Sequence, residues 1–264
     1  ELVEAARSRG VWLAVNHLLR HSGLLGTVKR LIDSGLLGEP LRAVLENYAE
    51  DERVPADHWF WDERKSGGIF IEHGVHFFDL YRWWFGRGSV LAARLHRRPG
   101  TAQADRAWCV VEYDNGVVGQ FYHGFDQTYR LDRAEHRIVF ERGDVRVIGW
   151  VPMELQVYGI VDDRQRQELQ ALCSQANLEL LEHYGPQQQL CHGRGKTYRV
   201  TCRLLLRQVL PAERRGQVYS EMFESLLGDQ LERLEDERHR PAVTAEDARE
   251  AVGLAAAATD LARR

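Results

Sequence analysis

The stretch Ile69–Phe85 constrains the fold more than any other part of this chain. It reads IFIEHGVHFFDLYRWWF and follows two glycines, Gly67 and Gly68. Placed on a helix, Phe70, Ile71, Val75, Phe77, Phe78, Leu80, Tyr81, Trp84 and Phe85 cover almost the whole circumference. A helix apolar nearly all round is buried, so the rest of the chain has to enclose it. Glu72, His73, His76 and Asp79 interrupt the apolar surface. With Glu72 set at zero, His76 falls at ~40° and Asp79 at ~−20°, one stripe, while His73 lies off at ~100°. A polar stripe on a buried helix is either satisfied internally or lines a cavity. His73 and His76 diverge by ~60° and no H-E-x-x-H pattern is present, so no metal site is expected. Two readings stay open. Glu72, His76 and Asp79 form a closed polar network, or His76, with a carboxylate one turn away to orient it, is an acid–base group that titrates near neutrality.

The flanking sequence supplies the cover. Residues 22–35 carry Leu24, Val28, Leu31 and Ile32 at helical spacing, with Ser22 placed to cap the start and Gly35 beyond the end. Pro40 opens an alternating run that reads as a strand to Glu50, and residues 51–65 read as an aromatic-rich loop. Asn115-Gly116 between two β-rich runs marks a tight hairpin, residues 136–150 repeat that plan with a turn near Gly143, and 153–163 read as one more strand. His123, on the second strand of the first hairpin, has no partner evident in the sequence. Helix is expected over 166–183, strand over 197–210, and two amphipathic helices follow, the last opened by Thr244 and Asp247 as a capping box. The run CHGRGKTYRV is not a phosphate loop: Leu190 stands where the first glycine belongs, and a strand follows in place of a helix. The expected class is α+β, a large, mostly antiparallel twisted sheet with helices on one face.

The net charge of −4 gives no electrostatic reason to expect nucleic acid or an anionic membrane as partner. No apolar run approaches the ~20 residues of a membrane span, and no signal-peptide pattern opens the chain. Cys109, Cys173, Cys191 and Cys202 form no C-x-x-C pair and read as free thiols, pointing to the cytoplasm. Residues 1–10 look like the last turns of a helix and residues 11–15 like a buried strand, an α/β unit without its front half, so a fragment of a longer protein is expected.

The polar helix resembles the start of the helix crossing the second domain of the Gfo/Idh/MocA family of NAD(P)-dependent oxidoreductases. That family carries glycines and then Asp-x-Gly-x-His-x-x-Asp; this chain has Gly67-Gly68 and then Glu72-His73-Gly74-Val75-His76-Phe77-Phe78-Asp79. The segment 15–40 is similar to the family's domain junction, with Arg20 on its last arginine; 110–121 resembles its hairpin and 241–264 its C-terminal helix. The resemblance implies a division into a remnant of the dinucleotide-binding domain at 1–15 and a substrate-binding and oligomerisation domain at 16–264, with a variable insertion at about 165–215. It implies hydride transfer between NAD or NADP and a sugar, polyol or similar cyclic alcohol or carbonyl compound, with the cofactor bound mainly by the absent domain. It makes His76 the acid–base residue and Glu72 its assisting carboxylate. Trp61, Lys65, His73 and Asp79 become candidate substrate contacts, and Arg20 a candidate cofactor contact. It implies a homo-dimer or tetramer through the open sheet face. Glu72 in place of Asp, and His17-Leu18 in place of an aromatic–Asn pair, depart from the pattern. The alternative is a non-catalytic sugar-binding or scaffolding member of the same fold.

Overall fold

The computed structural model describes residues 1–264. Helix α1 (Leu2–Ser8) leads through an unpaired segment to a 3₁₀ turn at Leu18–His21, α2 (Gly23–Ser34) and strand β1 (Pro40–Glu50). After the loop come α3 (Glu63–Ser66), a π-helical turn (Phe70–Gly74) and α4 (Val75–Phe85). Six strands follow: β2 (Gly88–Arg97), β3 (Ala104–Tyr113), β4 (Val118–Gln127), β5 (Arg133–Phe140), β6 (Gly143–Ile148) and β7 (Glu154–Val161). The chain closes with α5 (Asp163–Leu172), β8 (Asn177–His183), the small hairpin β9 (Leu190–Gly193) and β10 (Lys196–Arg199), β11 (Cys202–Val209), α6 (Arg215–Glu235) and α7 (Ala245–Ala262).

Nine strands form one sheet in the order β2-β3-β4-β1-β5-β6-β7-β11-β8. Every pairing is antiparallel except β1 with β4. The fold is α+β with the large sheet that the sequence indicated. Side chains alternate along the strands, and one face of the sheet holds the core: Ala43 and Leu45 on β1, Phe121 and His123 on β4, His136 and Ile138 on β5 are all buried. Register sets these in rows, because Leu45 lies opposite both Phe121 and His136, and Asn47 lies opposite His123. Helix α4 lies on this inner face. Tyr81 stacks on Phe121 at 4.7 Å between ring centroids, and Phe77 sits 5.5 Å from His123 and 5.6 Å from His136. Helix α7 packs against α4 and β2. No helix is long and apolar enough to cross a membrane.

Local chemistry accounts for the boundaries. Ser22 Oγ accepts from Leu25 N–H at the start of α2, and Gly35 ends it in the left-handed conformation. Thr244 and Asp247 form a reciprocal capping box on α7. Two expectations need correction. The helix expected over 166–183 stops at Leu172, and Asn177–His183 is instead the edge strand β8 on β11, with exposed charges along it in the manner of a protected edge. Residues 11–15, read as a strand, carry no sheet pairing. The segment 165–215 supplies β8 and β11, two strands of the main sheet. The basic run near Arg194 is a hairpin turn, with Arg194 and Gly195 both at positive φ and Lys196 on the Glu141 carboxylate at 2.8 Å.

Candidate functional site

The entry to α4 is not regular. Gly67 and Gly68 both adopt positive φ, and the chain then winds one π-helical turn before the α-helix starts. A Cβ on Gly67 would sit 2.8 Å from Ile71 Cγ2, so the backbone needs glycine there for space as well as for conformation. Gly74 lies against His123 of β4; a Cβ there would stand 3.5 Å from His123 Nε2 and 3.3 Å from Phe78. The π turn has more residues per turn than the α-helix from which the polar stripe was projected, so it rotates Glu72 relative to His76 and Asp79.

The projected stripe is accordingly divided. Asp79 is fully buried and bound bidentately by Arg20, Nη2 to Oδ1 at 2.6 Å and Nε to Oδ2 at 2.8 Å. Arg20 Nη1 donates to the Ala242 carbonyl and lies 3.4 Å from Asp247. Every nitrogen of this guanidinium is engaged within the chain. Arg20, expected at the cofactor, and Asp79, expected at the substrate, instead tie the junction segment to α4 and α7. Burial pushes the Asp79 carboxyl upward, and the Arg20 charge draws it back down. Burial also acts on Asp247, but Arg20, Thr244 and Arg82 hold that carboxyl at about 2.

Glu72 is half-buried without a hydrogen-bond partner; burial pushes its carboxyl up, and the charge opposing this comes from His58 in the loop before α3. The carboxylate that acts on His76 is Asp79, whose charge partly offsets a downward push from burial and from His17; the His76 imidazole ends at about 4. His17 is 4 % exposed, with its ring edge-on to His76 at 5.8 Å between centroids, and burial with the Arg20 charge lowers it to about 4 as well. His73 turns inward, against Phe125 at 5.1 Å and His123 at 5.7 Å, and burial and His76 bring it to about 3. His123 is core, enclosed by Phe70, Phe77 and His73.

Trp61 is held by its own loop, with Nε1 donating to the Val54 and Pro55 carbonyls and Arg98 over the ring. Lys65 is exposed on α3 and forms no ion pair. His17 and His58 are the residues whose placement beside His76 and Glu72 the sequence does not disclose, because both come from irregular segments remote from α4. His76 is left half-buried, neutral and free of any side-chain hydrogen bond within the chain. Such an imidazole can take a proton from a bound hydroxyl. No three His, Cys, Asp or Glu side chains converge in the manner of a metal site.

The fold and this helix define an α+β domain in which a large, mostly antiparallel sheet packs its inner face on the central helix. Residues 25–146 match the family model described as the GFO/IDH/MocA C-terminal domain. Among curated proteins it is 27 % identical over 139 residues to scyllo-inositol 2-dehydrogenase (NAD(+)) of Bacillus subtilis (strain 168), covering 50 % of this chain and 39 % of that protein. It is 25 % identical over 135 residues to 1,5-anhydro-D-fructose reductase of Ensifer adhaerens, covering 49 % and 40 %. Among solved structures, an oxidoreductase from Agrobacterium radiobacter in complex with NAD+, L-tartaric acid and magnesium superposes with a TM-score of 0.67 at 16 % identity, over 99 % of this chain and 66 % of that one. The WlbA dehydrogenase from Bordetella pertussis in complex with NADH and UDP-GlcNAcA gives 0.63 at 17 %, over 99 % and 64 %. At these identities the structures show the shared fold. The matched region spans about two fifths of the curated relatives' length, and the chain about two thirds of the solved ones.

Proposed function

We propose that this chain forms the substrate-binding part of an NAD(P)-dependent oxidoreductase acting on a hydroxyl or carbonyl group of a sugar, polyol or similar cyclic compound, with His76 as the acid–base residue. The observation that carries the reading is the state of His76: neutral, half-buried, at the start of the central helix, with no partner inside the chain. The nicotinamide, bound mainly by a dinucleotide-binding domain to which residues 1–15 belong, supplies the hydride chemistry. In alcohol oxidation His76 accepts the hydroxyl proton, and Asp79, fixed by Arg20, stabilises the imidazolium so formed. In carbonyl reduction the same proton returns to the developing alkoxide. Glu72 and Lys65 are kept as approach residues around the glycine turn. The four unpaired thiols support a cytoplasmic setting.

The test uses the protein joined to its nucleotide-binding domain, assayed for NAD+ and NADP+ reduction with inositols and cyclic sugars. His76→Ala is expected to lower turnover at least ~100-fold. Near-normal turnover in that variant would remove His76 from the chemistry. A non-catalytic polyol-binding member is the second reading, favoured by Glu72 having no hydrogen bond to His76 and feeling the charge of His58; polyol binding without any nicotinamide turnover would establish it.

A further inference from the structure

A cavity of about 460 Å³ lies where the start of α2 meets the ends of α5 and β11 and the first turns of α6. That is the size of a small-molecule site. None of the residues of the proposed reaction lines it. Its wall is rich in donors and poor in acceptors. Arg30 of α2 forms no ion pair; its Nη2 donates to Thr27 Oγ1 at 2.8 Å, and its other nitrogens have no acceptor in the chain. Burial pushes the Cys173 thiol up to about 11 and the Arg30 charge opposes this, which sets the guanidinium beside the end of α5. Arg214 of α6 donates to Gln217 through Nε and to Glu221 through Nη2, leaving Nη1 free. Gln208 donates to Gln175 Oε1 at 2.8 Å, which leaves the Gln175 amide nitrogen without an acceptor. The N–H groups of Gly23 and Leu24, in the first turn of α2, have no acceptor either. Against these donors stands one lining carboxylate, Glu221, already shared by Arg214 and Gln217. His21 borders the cavity, and burial holds its imidazole below the ordinary value, neutral at neutral pH. Two arginines against one carboxylate leave the cavity with an unpaired positive charge.

We propose that this cavity is an anion site that takes a phosphate group, as the free ion or as a small phosphate ester. The proposal is independent of the role given to His76. Phosphate oxygens are strong acceptors, the complement of a wall built from guanidinium, amide and backbone N–H donors. Arg30 supplies the charge that the chain itself leaves unpaired. The first turn of α2 adds two N–H groups and the positive end of the helix dipole, and no acidic residue occupies that turn. A Cβ on Gly23 would meet nothing within 4 Å, so the approach to the turn is open. The cavity is larger than a phosphate ion and leaves room for the alcohol part of a small ester between the Gln175 amide and Glu221, whose carboxylate can accept from a hydroxyl.

The 264-residue chain, labelled at its amide nitrogens, tests this by NMR titration with inorganic phosphate, glycerol 3-phosphate and glycerol at constant ionic strength. Both phosphates are expected to move the Gly23 and Leu24 amide signals along a saturating curve, and glycerol to move neither. The tighter of the two identifies the free ion or the ester as the occupant. Arg30→Gln is expected to weaken binding at least ~10-fold, the loss of a charge-assisted hydrogen bond. Arg30→Lys, which keeps the charge, is expected to recover part of that loss. Arg199→Gln removes an exposed charge outside the cavity and is expected to leave the dissociation constant unchanged. Shifts that rise without saturation, or equal weakening by Arg30→Gln and Arg199→Gln, would reduce the effect to general attraction between charges and overturn the site. Saturation by glycerol alone would overturn it as well.

Discussion

The pairing of Arg20 with Asp79 shows how one contact decides the meaning of two residues. Both stand on positions that the family resemblance ties to the site, and in the sequence each reads as a functional charge. The structure gives their side chains 4 % and 0 % exposure and joins them through two short hydrogen bonds. A buried pair of this kind adds little net stability over an apolar pair, but losing one partner leaves a charge without compensation. Arg20→Met is therefore expected to destabilise the domain by ~3–5 kcal/mol, read from the urea midpoint, and Arg20→Met with Asp79→Leu to recover most of the loss. If the double variant is as unstable as the single one, the pair is not the source of the cost. The identity of the partner was not legible in the sequence, since Arg20 and Asp79 lie 59 residues apart and only the packing of the junction segment on α4 brings them together.

Among the elements, those built from strong local signals were legible and those built from long-range pairing were not. Helix α2 between Ser22 and Gly35, the hairpin at Asn115-Gly116 and the capping box of α7 each carry their own start and stop chemistry, and each lies where the sequence places it. Strand β8 has no such signal; its register comes from β11, and the preceding polar run reads equally as helix. The π turn is the consequential case for the site. Its apolar periodicity is indistinguishable from that of an α-helix, yet it changes the angles at which Glu72, His76 and Asp79 project. What the sequence does show is the pair of glycines that permits the turn. Gly67→Ala is expected to cost ~2–3 kcal/mol, because it combines a positive φ with a Cβ 2.8 Å from Ile71. Gly100→Ala has a similar φ of 74° but no atom within 4 Å, and is expected to cost only ~1 kcal/mol. Equal losses in thermal unfolding for the two variants would show that the glycine turn is not closely packed.

At the scale of the whole molecule, the helices cover one face of the sheet and leave Val44, Trp108, Val110 and Tyr122 half-buried on the other. An apolar patch of this sort is a natural contact between copies. Light scattering at micromolar concentration is expected to give a homo-dimer or tetramer, and Trp108→Glu a smaller species; wild-type protein that is monomeric throughout would count against it. The covered face raises a separate matter, because it encloses several histidines in an apolar setting. Burial holds His136 at about 3 and His73 at about 3, and His123 is lowered too. In the unfolded chain each returns toward 6.5. Below that value the unfolded state binds more protons than the folded one, so stability falls as pH falls, by ~1.4 kcal/mol per pH unit for each histidine that stays neutral in the fold. Glu72 and Asp79, both raised by burial, act in the opposite sense at lower pH, where the folded state holds their protons more tightly. The steepest loss is thus expected between about pH 6.5 and 5, before the carboxyls compensate. Thermal unfolding at constant ionic strength should show a midpoint that drops from pH 7.5 to 5.5. His136→Phe, placed among Phe77, Tyr81 and Trp84, should reduce that slope by about one proton. A midpoint that does not change across this range would mean that the histidines are not held neutral by the core.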